Sequence, residues 1–313
     1  MNKVLIADSV SSAVSEVFDK NGIAYDTKIG LSEDELTTEI TEYSGLIVRS
    51  AVTVTEKIIN SAINLKVIGR PGVGVDNVDL KAATNNGIVV MNTPLGNVQA
   101  TAELTFGIMH SLMRKISNAN QSMHQKKWEK KKFIGNEMYG KTIGIIGFGN
   151  IGKKVSQIAH AYGMNVLVYS ASISPEDEKK FNVTNQSIDD ILEGADIITF
   201  HNKLSENSKY LINSNAITKM KKNAIIINCA RGGLVNEKDI KEALEKGNIA
   251  GYGCDVYENE PEQDSIFSSM DNVVMTPHIG ASTIEAQEKV AYQIAEQIVE
   301  FLKNNKIINQ VNK

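Results

Sequence analysis

Cysteine is scarce: Cys229 and Cys254 are the only two in 313 residues, and neither has a second cysteine or a histidine at metal-ligand spacing. That excludes a disulfide-stapled scaffold and argues against a zinc site. Both lie in apolar, strand-like tracts, the setting of buried free thiols in a reducing cytoplasm. No apolar run approaches the roughly 18 residues of a membrane span. The opening MNKVLIADS lacks the apolar stretch and cleavage site of a secretory signal. There is no excess of positive charge either, with 37 acidic against 33 basic residues and a net charge of −4. Nucleic acid and anionic membrane are therefore poor candidates for the main partner. What remains is a soluble globular composition, 42% hydrophobic and 22% charged, in a chain long enough for two domains.

Short apolar runs alternate with segments of helical period. The first third holds VLIAD (4–8), a weaker IAYDT (23–27), GLIVRS (45–50), KVIGR (66–70) and GIVVMN (87–92). Later come KTIGIIG (141–147), NVLVYS (165–170), DIITFH (196–201), AIIINCA (224–230), AGYGCDVY (250–257) and NVVMTPH (272–278). Such runs predict α/β architecture with parallel sheets covered on both faces. The pattern breaks once, after the loop NTPLGN (92–97). Residues 98 to about 125 read as one long connecting helix with Leu104, Ile108, Leu112 and Ile116 on its buried face. Near the end, Ser282 and Glu285 form an S-x-x-E capping box before Val290, Ile294, Ile298 and Leu302. This last helix is expected to return to the first domain, giving a discontinuous domain of 1–97 and 283–313 around an inserted 98–282.

Gly147-Phe148-Gly149-Asn150-Ile151-Gly152 directly follows the strand TIGII and opens a helix with Ile151, Val155, Ile158, Ala159 and Tyr162 on its inner face. Glycines in this context allow a tight turn and the close approach of a dinucleotide pyrophosphate to a helix N-terminus. The fingerprint expects an acid about 20 residues further on, to hold the adenosine ribose. Eighteen positions after Gly152 stands Ser170. Its lack of charge weakens discrimination against NADP, yet no base precedes Lys179 and Lys180. NAD is the first choice, with NADP left open.

Ligands of open parallel sheets gather at the carboxyl ends of strands, and three ionisable residues are expected there. Arg231 follows IIINCA, Glu260 lies in DVYENEP and His278 in VVMTPHIGAS. A guanidinium suits the carboxylate and C2 oxygen of a small 2-hydroxy acid, and Gly232 and Gly233 would let the chain turn to aim it. Histidine titrates in the range needed to exchange the hydroxyl proton. Glu260 would fix its tautomer and raise its pKa. Arg49 and Arg70 each end an apolar run, as charge-assisted partners for a phosphate would.

LIVRSA, GRPGVGVDNVDL, MNTPLGN, GKTIGIIGFGNIG, NCARGG, DVYENEP and PHIGAST together resemble the NAD-dependent D-isomer-specific 2-hydroxyacid dehydrogenases along nearly the whole chain. The resemblance implies a Rossmann nucleotide-binding domain inserted into a flavodoxin-like substrate-binding domain, both doubly wound. It puts the catalytic roles on Arg231, Glu260 and His278. It gives Gly147, Gly149, Asn150, Ile151, Gly152, Ser170, Ala230, Asp255 and Gly280 to the cofactor, and no metal. Substrate falls to Arg49, Ser50, Arg70, Gly72, Val73, Gly74 and Asn97. Within the family the resemblance points to members that oxidise 3-phospho-D-glycerate with NAD at the first step of serine biosynthesis, as homodimers or homotetramers. The cluster Lys130, Lys131 and Lys132 after Trp128 resembles a segment that reaches a neighbouring subunit's site, whereas composition alone reads it as a solvated face.

Two departures stand out besides Ser170. Lys203 replaces a usual proline, and the chain ends at Lys313, predicting no feedback control through an appended regulatory domain. The rival readings are a reductase of glyoxylate, hydroxypyruvate or another unphosphorylated 2-oxo acid, and a dinucleotide-binding, corepressor-like scaffold.

Overall fold

Two parallel sheets organise the protein, seen here in a computed structural model that describes residues 2–313. The first contains β1 (Lys3–Ile6), β2 (Ala24–Thr27), β3 (Gly45–Ile47), β4 (Val67–Arg70) and β5 (Val89–Asn92) in the order β2-β1-β3-β4-β5. The second contains β6 (Thr142–Ile146), β7 (Asn165–Tyr169), β8 (Thr184–Asn185), β9 (Ile197–Phe200), β10 (Ile225–Asn228), β11 (Gly251–Cys254) and β12 (Val273–Met275), ordered β12-β11-β10-β9-β6-β7-β8. Every pairing in both is parallel. The chain divides into two compact units, one running up to Asn97 and resuming at Ala281–Lys313, the other Val98–Gly280.

Strand alternation supplies both faces of each sheet. In the first unit Val4, Ile6, Ile47 and Val67 pack against helix Ala13–Asn21 and the final helix Ile284–Asn304. Leu5, Leu46, Ile68 and Val90 point the other way, onto Leu36, Ile58 and Ala83 of three short helices. The final helix buries Val290, Ile294 and Ile298 as its periodicity predicts. It lies so near β4 that a Cβ on Gly69 would sit 2.7 Å from Ile298 Cδ1. In the second unit Ile143, Ile145, Val168 and Ile227 pack on one side, and Ile198, Phe200, Ile226 and Tyr252 on the other. Each such aliphatic side chain contributes roughly 1.5–3 kcal/mol on burial.

Three local expectations need correction. The connecting segment is two helices, Val98–Arg114 and Ile116–His124, broken at Lys115, which has a left-handed backbone (φ 53°). Ile108 is buried as expected and Leu104 and Leu112 pack partly buried on the same core as Ala102, Phe106, Met109 and Met113, while Ile116 is 51% exposed. Four-residue steps advance by more than a full turn, and with the break at Lys115 the expected stripe leaves the packed face at Ile116. The final helix is capped by Thr283, whose hydroxyl accepts from the Ala286 N–H, rather than by a box on Ser282. Finally, β8 has no counterpart in the sequence reading, because Thr184 and Asn185 carry no apolar signal.

Candidate active site

Strand order in the second unit reverses between β6 and β9, and the glycine loop lies at that switch point. Its three glycines are required for three different reasons. Gly147 has φ 98°, and a Cβ there would lie 2.5 Å from the Asn202 N. A Cβ on Gly152 would meet the Gly147 carbonyl oxygen at 2.2 Å, so the helix packs directly on the loop. At Gly149 a Cβ would meet nothing within 4 Å, which leaves open space above the N-terminus of helix Asn150–Ala161. Gly149, the N-cap residue, brings no side chain over that terminus, and a helix N-terminus of this kind favours an anion. Beside it, His201 Nδ1 and Asn202 Oδ1 are buried without hydrogen-bond partners. Burial pushes the His201 pKa down to about 3, so this imidazole is neutral. The cradle and these orphaned atoms fit a dinucleotide. Ser170 directly follows β7, and its N–H donates to Asn185 Oδ1 at 3.1 Å.

At the end of β10 the buried Asn228 shapes the chain that carries Arg231. Its Oδ1 accepts from the Ala230 N–H at 3.1 Å and its Nδ2 donates to the Arg231 carbonyl at 2.8 Å. The chain turns at Gly232 and Gly233, through the short 3₁₀ turn Gly232–Leu234, without a left-handed backbone at either glycine. Gly232 is needed because the backbone of Tyr257 and Glu258 passes against it. The two loops are also clasped reciprocally: the Glu258 N–H donates to Glu237 Oε1 at 3.0 Å, and the Glu237 N–H to Glu258 Oε1 at 3.1 Å.

Glu260 is thereby delivered to His278. One of its oxygens accepts from the Tyr257 N–H at 3.1 Å, and the other lies 2.6 Å from His278 Nδ1. The hydrogen bond to Glu260 raises the His278 pKa against desolvation; the charges of Glu260 and Asp255 add to the rise and Arg231 opposes it. Burial alone would raise the Glu260 pKa, but the bond and charge of His278, the Tyr257 N–H and Arg231 hold it below its usual value. His278 itself has a left-handed backbone, φ 53°, an uncommon state for a side chain-bearing residue. The buried Asp255 holds that loop: Oδ1 accepts from Thr276 Oγ1 (2.6 Å) and the Ile279 N–H (2.7 Å), and Oδ2 from the Gly280 N–H (2.8 Å). Both oxygens of a residue read from sequence as a cofactor neighbour thus accept from their own chain.

The remaining expected residues belong to the first unit. Arg49 and Ser50 follow β3, and Arg70 ends β4. The Arg70 guanidinium lies over Gly72, whose φ of 144° and missing Cβ leave it room. Gly72 donates its N–H to Thr93 Oγ1 at 2.7 Å, so this donor is engaged within the loop that continues to Val73 and Gly74. Asn97 Oδ1 is buried without a partner. Lys132 pairs with Glu129 at 2.6 Å, and the neighbouring Trp128 is 82% exposed.

Comparison with known proteins bears on this geometry. The family model described as "D-isomer specific 2-hydroxyacid dehydrogenase, NAD binding domain" matches residues 106–280. The chain belongs to the D-isomer specific 2-hydroxyacid dehydrogenases. Among curated members of the family, D-3-phosphoglycerate dehydrogenase of Bacillus subtilis is 42% identical over all of this chain and 59% of its own length. The Homo sapiens protein of that name is 43% identical, over all of this chain and 58% of its own. The chain therefore spans somewhat under two thirds of these relatives. A solved NAD+-bound 3-phosphoglycerate dehydrogenase of Entamoeba histolytica superposes with a TM-score of 0.85 at 28% identity, covering 100% of this chain and 99% of that one.

For a D-2-hydroxyacid dehydrogenase, the sequence reading left out the residues that set the loops. Glu237 drew no notice because its partner Glu258 lies on another loop, and Asn228 because it was read only as part of a strand, although its partners Ala230 and Arg231 follow it directly. His201 was read only as a strand end and Asn202 only as part of the HNKLS loop, although a His-Asn pair directly after the strand was the available signal.

Proposed function

We propose that the chain oxidises 3-phospho-D-glycerate at C2 to 3-phosphohydroxypyruvate, with NAD as acceptor, at the first step of serine biosynthesis. The observation that carries this is the 2.6 Å contact of His278 Nδ1 with Glu260, within the field of Arg231, in a chain whose curated relatives bear the phosphoglycerate dehydrogenase name. With Nδ1 committed to Glu260, His278 presents Nε2 as the base for the C2 hydroxyl proton, and Glu260 stabilises the resulting imidazolium. Arg231 holds the carboxylate and polarises the C2 oxygen. Bound NAD supplies the hydride acceptor, held on Gly147, Gly149, Asn150, Ile151 and Gly152. Arg49 and Arg70 take the phosphate, and Ser50, Val73, Gly74 and Asn97 the rest of the substrate.

Ser170 supports one second reading, reduction of an unphosphorylated 2-oxo acid with NADPH. Steady-state kinetics with both nicotinamide cofactors, each against 3-phospho-D-glycerate and D-glycerate, tests the two together. Equal kcat/KM for the two acids would sink the phosphate assignment. The same reading makes the protein a cytoplasmic homo-oligomer. The buried free thiols and the exposed Trp128, Ile134 and Tyr139 support this. No helix among the described residues is long and apolar enough to cross a membrane.

A further inference from the structure

In the five-stranded sheet the strand order reverses between β1 and β3, and two charged residues meet there. Asp8 follows β1 and Arg49 follows β3, each two residues beyond its strand. Asp8 is only 6% exposed. Its Oδ2 accepts the backbone N–H groups of Arg49 and Ala51, both at 3.0 Å, and its Oδ1 accepts that of Ser9 at 2.7 Å. The Arg49 guanidinium in turn donates to the Ser9 carbonyl at 3.3 Å. One carboxylate therefore fixes both the backbone that carries the guanidinium and the carbonyl on which it rests. From the opposite side, Asn77 Nδ2 donates to the carbonyls of Arg49 and Val52 at 2.6 and 2.7 Å.

A buried carboxylate is costly unless its oxygens are hydrogen-bonded, and three N–H donors meet that demand here. We propose that Asp8 is a positioning residue for substrate selectivity: by holding Arg49 it sets the preference for a phosphorylated over a plain 2-hydroxy acid. The inference rests on the assignment of Arg49 to the substrate phosphate. Asp8 acts through Arg49 and touches no substrate. An amide in its place offers one oxygen to three donors and turns an N–H₂ group toward a backbone N–H. At least one donor then loses its partner, and residues 49–51 must shift. Guanidinium contacts are directional, so a small displacement is felt in binding.

The test compares Asp8→Asn and Asn77→Asp with the wild-type protein on 3-phospho-D-glycerate and D-glycerate at saturating NAD, with Tm and NAD affinity measured alongside. The KM for 3-phospho-D-glycerate should rise about tenfold in each variant, while kcat and the efficiency with D-glycerate stay within about threefold. NAD affinity should not change. A merely structural role would lower both substrates together, and that result, or a preference intact in both variants, overturns the inference while the phosphate reading stands. A wild-type protein with no preference for the phosphorylated acid overturns both. Should Asp8→Asn fail to fold, the same ratio in Asn77→Asp decides the matter.

Discussion

A methyl group on the Cα of Gly232 would lie 1.9 Å from the carbonyl carbon and oxygen of Tyr257. This approach locks the loop of Arg231 to the loop of Glu260. Gly232→Ala should force the two apart, costing about 1–3 kcal/mol of stability and on the order of 10² in kcat. Thermal unfolding and saturating kinetics would show it. A folded variant at full kcat would mean that the contact has no bearing on catalysis.

His278→Ala should lower kcat by roughly 10² to 10⁴ if the imidazole is the base. NADH binding, followed by fluorescence, should persist. Full turnover in this variant would remove His278 from the chemistry.

Glu260→Gln removes the largest cause of the raised His278 pKa. Oxidation needs neutral imidazole, so the acidic limb of kcat/KM should move to lower pH while kcat falls. Stability follows a separate rule. The lowered pKa of Glu260 gives a contribution present above about pH 4.3 and lost as pH falls through its folded value. The raised pKa of His278 gives one present below about pH 6.5 and lost as pH rises through its folded value. The variant should therefore lose most Tm near pH 5–6 and least in alkali. A limb that does not move would contradict the pairing.

The glycines of the nucleotide loop should separate by assay. Gly149→Ala adds a Cβ into open space, so Tm should hold while NAD affinity drops by tenfold or more, about 1.4 kcal/mol. Gly152→Ala meets a carbonyl oxygen at 2.2 Å and should destabilise the fold itself. Identical behaviour of the two would contradict the cradle.

Ser170→Asp restores the acid expected at the tip of β7. The ratio of kcat/KM with NAD to that with NADP should rise by about tenfold or more, through ribose contacts and repulsion of a 2′-phosphate. An unchanged ratio would place Ser170 outside the adenosine pocket.

Much of this architecture is legible from local patterns, and the failures are instructive. IIIN and TIGII announce buried strands because a parallel strand covered on both faces is apolar throughout. The two-residue β8 is polar and exposed, so no such signal exists. Lys115 breaks a helix without proline or glycine, and Thr283 displaces an adjacent serine as cap. Lysine is a good helix former and serine and threonine both cap, so residue type announces neither outcome.

The sequence by itself determined the two-sheet α/β class and the strand–glycine loop–helix pattern, because periodicity and turn chemistry act over a few residues; Arg231, Glu260 and His278 were singled out by their places at strand ends together with the family resemblance. Only the tertiary structure decided that Asp255 serves as a loop anchor, that Gly232 answers to Tyr257, and that Asp8 reaches Arg49. Those contacts join groups far apart in the chain, and which strands lie side by side sets the distance at which an oxygen meets an N–H.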